Sequence, residues 1–190
     1  MGRPSLADVR RPQLLDAYAV CLARYGVQGT TLDRVAKEAG VTRGLVRHYL
    51  GNRDEVLRAL GDWAREGYLE FFAEASQRHP GADPAEVLLD LMTSAQPKKF
   101  YAVLDALFAE AGRDEYIAEV LRDVYAELFR WTVEMLTEAR PTADPVARRQ
   151  VALGLMSFGW AESGYEVIGF RPSRRREYRA LAERLIDGLR

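Results

Sequence analysis

No stretch of the 190 residues alternates apolar and polar side chains well enough to read as a strand, whereas almost every long segment repeats its apolar residues at helical spacing. That property confines the chain to all-α architectures. Proline and glycine then divide it. A first helix over 11–25 carries Leu14, Tyr18, Cys21, Leu22 and Tyr25 on one side, and Gly26 can end it in a left-handed conformation. A second helix, 31–39, opens at the N-cap Thr31, and a third opens near Thr42 and is interrupted at Gly51-Asn52. A long helix runs from Asp54 to Arg78 and stops at His79-Pro80-Gly81. Asp83-Pro84-Ala85-Glu86 then supplies an N-cap, a first-turn proline and a capping-box glutamate. The helix it opens should end before Pro97. Helices over 97–111, 114–139, 145–168 and 174–189 complete an expected set of about nine, three short ones followed by six longer ones.

Residues 31–50, TLDRVAKEAGVTRGLVRHYL, are the most specific segment. Gly40 falls where the chain must turn sharply, and Ala36 is small where a second helix would pass close. Val35, Ala39, Val41, Val46 and Tyr49 are spaced to lock two steeply crossing helices together, as in a helix-turn-helix. An ordinary helical hairpin also uses glycine and small residues, but here seven positions would have to agree by chance. In a helix-turn-helix the second helix enters the DNA major groove N-terminus first. Thr42 then offers a hydroxyl and an amide to phosphate, and Gly44 lets the backbone approach. Arg43 and Arg47 share one exposed face and suit guanine edges and phosphates equally. His48 and Arg53 are within reach of phosphates, although a solvated surface histidine fits His48 nearly as well. Thr31, Leu45 and Tyr49 complete the candidate DNA-contacting set. Arg3, Arg10 and Arg11 form an N-terminal arm able to follow phosphates or enter a minor groove, although a disordered, solvated terminus fits Arg3 better.

The pattern Leu14-Leu15-Asp16-Ala17, Gly26, Thr30-Thr31-Leu32, Val35-Ala36, Ala39-Gly40-Val41-Thr42-Arg43-Gly44, His48-Tyr49-Leu50 and Arg53-Asp54-Glu55-Val56-Leu57 resembles the N-terminal signature of the TetR family of transcriptional regulators. The resemblance implies a three-helix DNA-binding head at 1–53. It also implies a helical effector-binding and dimerisation body at 54–190, a two-fold dimer on a near-palindromic operator, and repression relieved by a small molecule. Two positions depart from the family. Arg47 stands where an aromatic contact to the DNA backbone is usual, which bears on operator choice, and Leu50 replaces a usual aromatic core residue.

The body is less specific. Val151, Leu155, Phe158 and Ala161 form one apolar stripe, and Tyr178, Leu181, Leu185 and Leu189 form another. Such stripes usually make core; in a TetR-like chain the last two helices build the dimer interface. Trp63, Phe108, Trp131, Phe158, Glu162 and Tyr165 are the candidate effector contacts, suited to an apolar or aromatic ligand, although a surface salt bridge fits Glu162 better than a cationic or hydroxylated ligand.

Charge sharpens the division. The chain has 27 Lys and Arg against 28 Asp and Glu, a near-neutral balance that argues on its face against a nucleic-acid partner. Residues 1–53, however, hold nine basic and four acidic side chains, a net of +5, and the remainder is −6. A basic head on an acidic body is the better description. Cys21 is the single cysteine and excludes an internal disulfide. No run approaches the roughly 18 apolar residues of a membrane span. The N-terminal residues lack an apolar signal core, so the cytoplasm is the expected compartment. For an enzyme, converging nucleophile, base and electrostatic groups are needed. His48 and His79 are the two histidines, neither has a metal-ligand partner at helical spacing, and no Gly-rich phosphate loop is present. Neither a cofactor nor a metal is expected, and an effector-free DNA-binding protein remains the main alternative.

Overall fold

Helix boundaries in the computed structural model follow from caps and breakers. The structure describes the backbone of residues 6–78, 81–93, 98–167 and 175–190, excluding the side chains of 6–9, 72–73, 75–78, 98, 159–160, 162–167 and 175. Among them are nine helices and no strand: α1 (Leu6–Gly29), α2 (Leu32–Ala39), α3 (Arg43–Leu50), α4 (Arg53–Arg78), α5 (Pro84–Thr93), α6 (Lys98–Ala111), α7 (Glu115–Ala139), α8 (Pro145–Val167) and α9 (Arg175–Asp187).

The first helix differs from expectation. It begins at Leu6 and keeps Pro12 inside it. Gly26 breaks it at φ 67°, but with ψ 178° instead of the left-handed helical value, and one more turn follows. Only glycine adopts that combination readily. Tyr25 also leaves the expected apolar side. It is 40% exposed and lies under the Arg34 guanidinium, 4.3 Å from its ring centre, a cation–π contact that suits a ring at the surface.

By packing, the described chain forms two units. The first comprises Met1–Leu69 with Gln96–Val124, and the second Glu70–Ala95 with Tyr125–Arg190. The division therefore falls within α4 and within α7, whereas the sequence places a functional boundary at 53/54. In the first unit α1 packs on α2, α3 and α6. Leu14, Cys21, Val35, Val46, Leu60, Val103 and Leu107 share one core and are essentially inaccessible. Cys21 is an inert core thiol, its pKa pushed up first by burial and then by Glu38. Phe100 sits so close to α4 that a Cβ on Gly67 would meet the tip of its ring at 2.7 Å, so a side chain there would have to displace that ring.

In the second unit α5, α8 and α9 pack together over Leu88, Leu136, Ala152, Leu155, Ala182 and Ile186. Arg179 on α9 joins them by bridging Glu86 and Asp90 of α5 and Glu183 of its own helix. Arg148 is buried, donates to the Ala143 carbonyl at 2.7 Å and leaves its Nε without a partner among the described residues.

Gly40 shows what the turn between α2 and α3 demands. Its φ of 66° and ψ of 34° are left-handed helical, and its N–H donates to the carbonyls of Ala36 and Lys37. No atom lies within 4 Å of where a Cβ would stand, so a side chain meets only the backbone penalty. Gly40→Ala should therefore cost about 1–2 kcal/mol, and Gly40→Asn less, because asparagine tolerates this region. Thermal melts check the order; equal melting temperatures for wild type, G40A and G40N would contradict it.

Candidate nucleic-acid interface

The geometry of α2 and α3 is set by two threonine caps and one turn. Thr31 accepts the Arg34 N–H at 3.3 Å, and Thr42 accepts the Leu45 N–H at 3.4 Å. Each hydroxyl retains its own proton for a further acceptor. Val41 N–H donates to Ala36 O at 2.9 Å, which closes the turn. Val35 and Val46 are fully buried between the helices, with Ala36 and Leu50 nearly so, while Ala39, Val41 and Tyr49 are half-buried against the same core. An ion pair from Arg24 of α1 to Glu38 of α2, at 2.9 Å, ties the pair of helices to the first.

What this arrangement leaves outside is one face of α3. Arg43, Gly44, Arg47 and His48 are exposed on α3, and Leu45 and Tyr49 are half-buried beneath them. Arg43 pairs with Asp33 of α2 at 3.3 Å, with both side chains well exposed. Such pairs are worth about 0–1 kcal/mol, so Asp33 holds Arg43 only loosely. Among the described residues the Arg47 side chain makes no ion pair and no hydrogen bond; its carbonyl accepts from Gly51 N–H at 3.0 Å. The His48 ring stands edge-on to Tyr49, centres 5.1 Å apart. Gly44 is open: the nearest heavy atom to a Cβ there would be Thr42 Oγ1, at 4.0 Å. Packing within the chain thus gives no reason for glycine at this position, whereas close backbone approach by a partner would. Arg10 and Arg11 are also exposed; Arg3 lies outside the described residues.

Arg53 is placed differently from the α3 residues. At the start of α4 it is engaged by Glu110 of α6 at 2.9 Å. It begins a series of contacts inside the first unit, continued by Arg58 to Asp114 at 3.0 Å, Tyr116 Oη to Asp62 at 2.7 Å, and Arg65 to Asp123 at 4.0 Å. The hydrogen bond from Arg58 holds the Asp114 carboxyl below its ordinary value, and the hydrogen bond to Asp62 raises the Tyr116 phenol. Sequence reasoning missed this series because each partner lies some fifty residues away along the chain.

The expected effector contacts divide between the units. Trp63 and Phe108 belong to the first, with the Trp63 ring stacked at a tilt 5.0 Å from Phe100 and Phe108 partly exposed. Trp131 and Phe158 belong to the second, Trp131 half-buried against its core and Phe158 edge-on to Tyr178 at 6.3 Å. The side chains of Glu162 and Tyr165 lie outside the described residues. Asp105 on α6 is a residue that sequence reasoning passed over. It stands one turn from both Tyr101 and Phe108, is exposed, and has no partner among the described residues; neighbouring atoms desolvate it enough to raise its carboxyl. A lone acid in the run FYAVLDALF was the available signal.

Of the expected association residues, Leu155, Tyr178 and Leu189 are buried in the chain's own second unit, Tyr178 donating from its hydroxyl to the Leu155 carbonyl at 3.0 Å. Val151, Leu181 and Leu185 are half-buried. Among the described residues the exposed large apolar side chains of α8 are Val146 and Leu153, 59% and 61% accessible and two helical turns apart, and Phe158, at 39%.

Comparison with known proteins places these features. Residues 14–60 match the model of the bacterial regulatory proteins, tetR family. The HTH-type transcriptional regulator BetI of Paraburkholderia phymatum is 41% identical over 59 residues, 31% of this chain and 30% of that protein, so the chain spans under a third of that relative's length. A TetR transcription regulator from Haloarcula marismortui has the same fold, with a TM-score of 0.77 at 17% identity over 95% of this chain and 98% of that one. So does a putative transcriptional regulator from Saccharomonospora viridis in complex with choline, with a TM-score of 0.77 at 15% identity over 95% and 96% of the two chains. The match at 14–60, the two threonine-capped helices it spans and the all-helical fold that carries them agree: residues 14–60 are similar to the bacterial regulatory proteins, tetR family, and the fold is that of a solved TetR regulator.

Proposed function

We propose that the protein is a transcriptional repressor that binds a near-palindromic DNA operator as a homodimer and is released by a small-molecule effector. The outward face of α3 carries this reading: Arg43, Gly44, Arg47 and His48 are exposed on a helix fixed from behind by Val46 and Leu50. Residues 1–53 serve as the DNA-binding head and 54–190 as the effector-binding and dimerising body. Arg43 and Arg47 reach guanine edges or phosphates, and the hydroxyls of Thr31 and Thr42 donate to phosphates. Arg53 does so on leaving Glu110. Dimerisation uses α8 and α9, where Val146 and Leu153 offer apolar area beyond the buried stripe. Binding of choline by the Saccharomonospora viridis neighbour supports a small organic effector, and the unpaired Asp105 beside Tyr101 and Phe108 favours one that carries a positive charge. α4, about 39 Å long at 1.5 Å per residue, is the lever that leads from the head.

Selection of bound sites from random duplex DNA tests the reading. It should enrich an inverted repeat, and affinity for that repeat should fall about 10³-fold between 50 and 200 mM salt if six phosphates are neutralised. Failure to enrich any sequence would overturn it. Titrating choline and aromatic cations into the complex should release the DNA.

A further inference from the structure

The head contains a pocket that DNA reading does not explain. Its volume is about 440 Å³, within the range that holds small organic ligands. Tyr18 and Gln28 of α1, Thr30, Leu32 of α2, Arg47 of α3, and Asn52, Arg53 and Val56 at the start of α4 line it, together with Val27 and Gly51. Two guanidinium groups and no carboxylate are in the lining, beside an apolar wall of Val27, Leu32 and Val56. Arg47 makes no ion pair among the described residues, and Arg53 commits one nitrogen to Glu110. Tyr18 is 8% exposed, yet its hydroxyl makes no hydrogen bond among the described residues and is not sealed away from solvent. The phenol is therefore free to donate to a ligand that enters from solvent. Here it stands beside two cations in a pocket with an apolar side.

The geometry points to a second ligand site in the head itself, for an organic anion with an apolar body, whose carboxylate is held by Arg47, Arg53 and the Tyr18 hydroxyl. A carboxylate accepts from both guanidinium groups and from the phenol at once, while the hydrocarbon portion covers Val27, Leu32 and Val56. A DNA phosphate would use the cations but neither the apolar wall nor a pocket of this size. Because Arg47 also lies on the outward face of α3, an occupied pocket neutralises part of the reading surface directly, without any signal from the body. That consequence, unlike the binding itself, rests on the DNA-binding reading proposed above.

Octanoate is a suitable probe, with octanamide as its uncharged counterpart, titrated into the full-length protein without DNA and followed by backbone amide NMR. Octanoate should shift the amides of Thr30, Gly51 and Asn52, and octanamide should not. Tyr18→Phe and Arg47→Gln should each weaken octanoate at least about tenfold, the scale of a lost hydrogen bond to a charged group. Tyr18→Phe keeps the ring, so its fold and its DNA affinity should match wild type. Shifts confined to other residues, equal binding of octanamide, or octanoate affinity unchanged in both variants would each overturn the site. These titrations contain no DNA, so they test the pocket whether or not the protein binds an operator. In a separate displacement experiment, octanoate should release a DNA probe from wild type at concentrations that leave the Tyr18→Phe complex intact. Equal release from both would overturn the link from pocket to reading surface.

Discussion

A fragment ending at residue 53 should show no cooperative thermal transition, although it contains the whole helix-turn-helix. The reason is the partner of α1. Leu14, Leu15, Tyr18 and Leu22 share a core with Val56 and Leu60 of α4 and with Val103, Leu104 and Leu107 of α6. Lys99 of α6 pairs with Asp16, and Glu110 with Arg53. Cutting at 53 exposes the apolar side of α1 and leaves a segment too short to bury most of its surface. Circular dichroism melts of the fragment and the full chain make the comparison. A sharp transition in the fragment, with α3 still helical, would show that the head folds without α6. A milder version keeps the chain whole: Leu107→Ala removes a fully buried side chain from that core and should cost about 2–5 kcal/mol. At roughly 2–4 °C per kcal/mol for a chain of this size, the melting temperature should drop by about 5–15 °C.

Arg43→Ala and Arg47→Ala should each weaken binding to the selected operator by about 1–3 kcal/mol where the contact is to a base, and the double variant should abolish measurable specific binding. Neither should move the melting temperature much. Arg47 has no partner to lose among the described residues, and Arg43 loses one exposed pair with Asp33, worth about 0–1 kcal/mol. A base contact also relaxes preference at one position of the site, whereas a phosphate contact weakens all sequences alike and lowers the salt slope by about one. Operator affinity that survives both substitutions would remove α3 from the groove.

Much of this architecture is local and legible in the order of the residues. Gly40, Thr31 and Thr42 announce a turn and two caps because their preferences act over three or four residues. The apolar spacing of Val35, Ala36 and Val46 identifies a face that must be covered. Gly44 stands out in the sequence for the reason its open surroundings make plain: no neighbour within the chain requires it. The reach of local reasoning ends at the ion pairs from α4. Arg53 reads as a phosphate ligand when only its neighbours are considered, yet Glu110 engages it from 57 residues away. Tyr25 reads as core by spacing, yet Arg34 holds it at the surface. The stripes on α8 and α9 had the periodicity of an interface, and periodicity cannot tell which partner covers them. Leu155, Tyr178 and Leu189 are covered by their own chain, and Val146 and Leu153 are not.

The helices, their caps, the helix-turn-helix and the basic charge of its segment are thus implicit in the residues alone. Each depends on side chains within one or two turns of each other, where spacing dictates geometry. Long-range packing was needed to establish that α6 completes the core beneath α1 and that Glu110 claims Arg53 while Arg47 stays open. It was needed as well to bring Tyr18, Arg47 and Arg53 around one pocket. Those outcomes depend on which distant surfaces come together, and burial of apolar area rewards any suitable surface without naming its place in the chain.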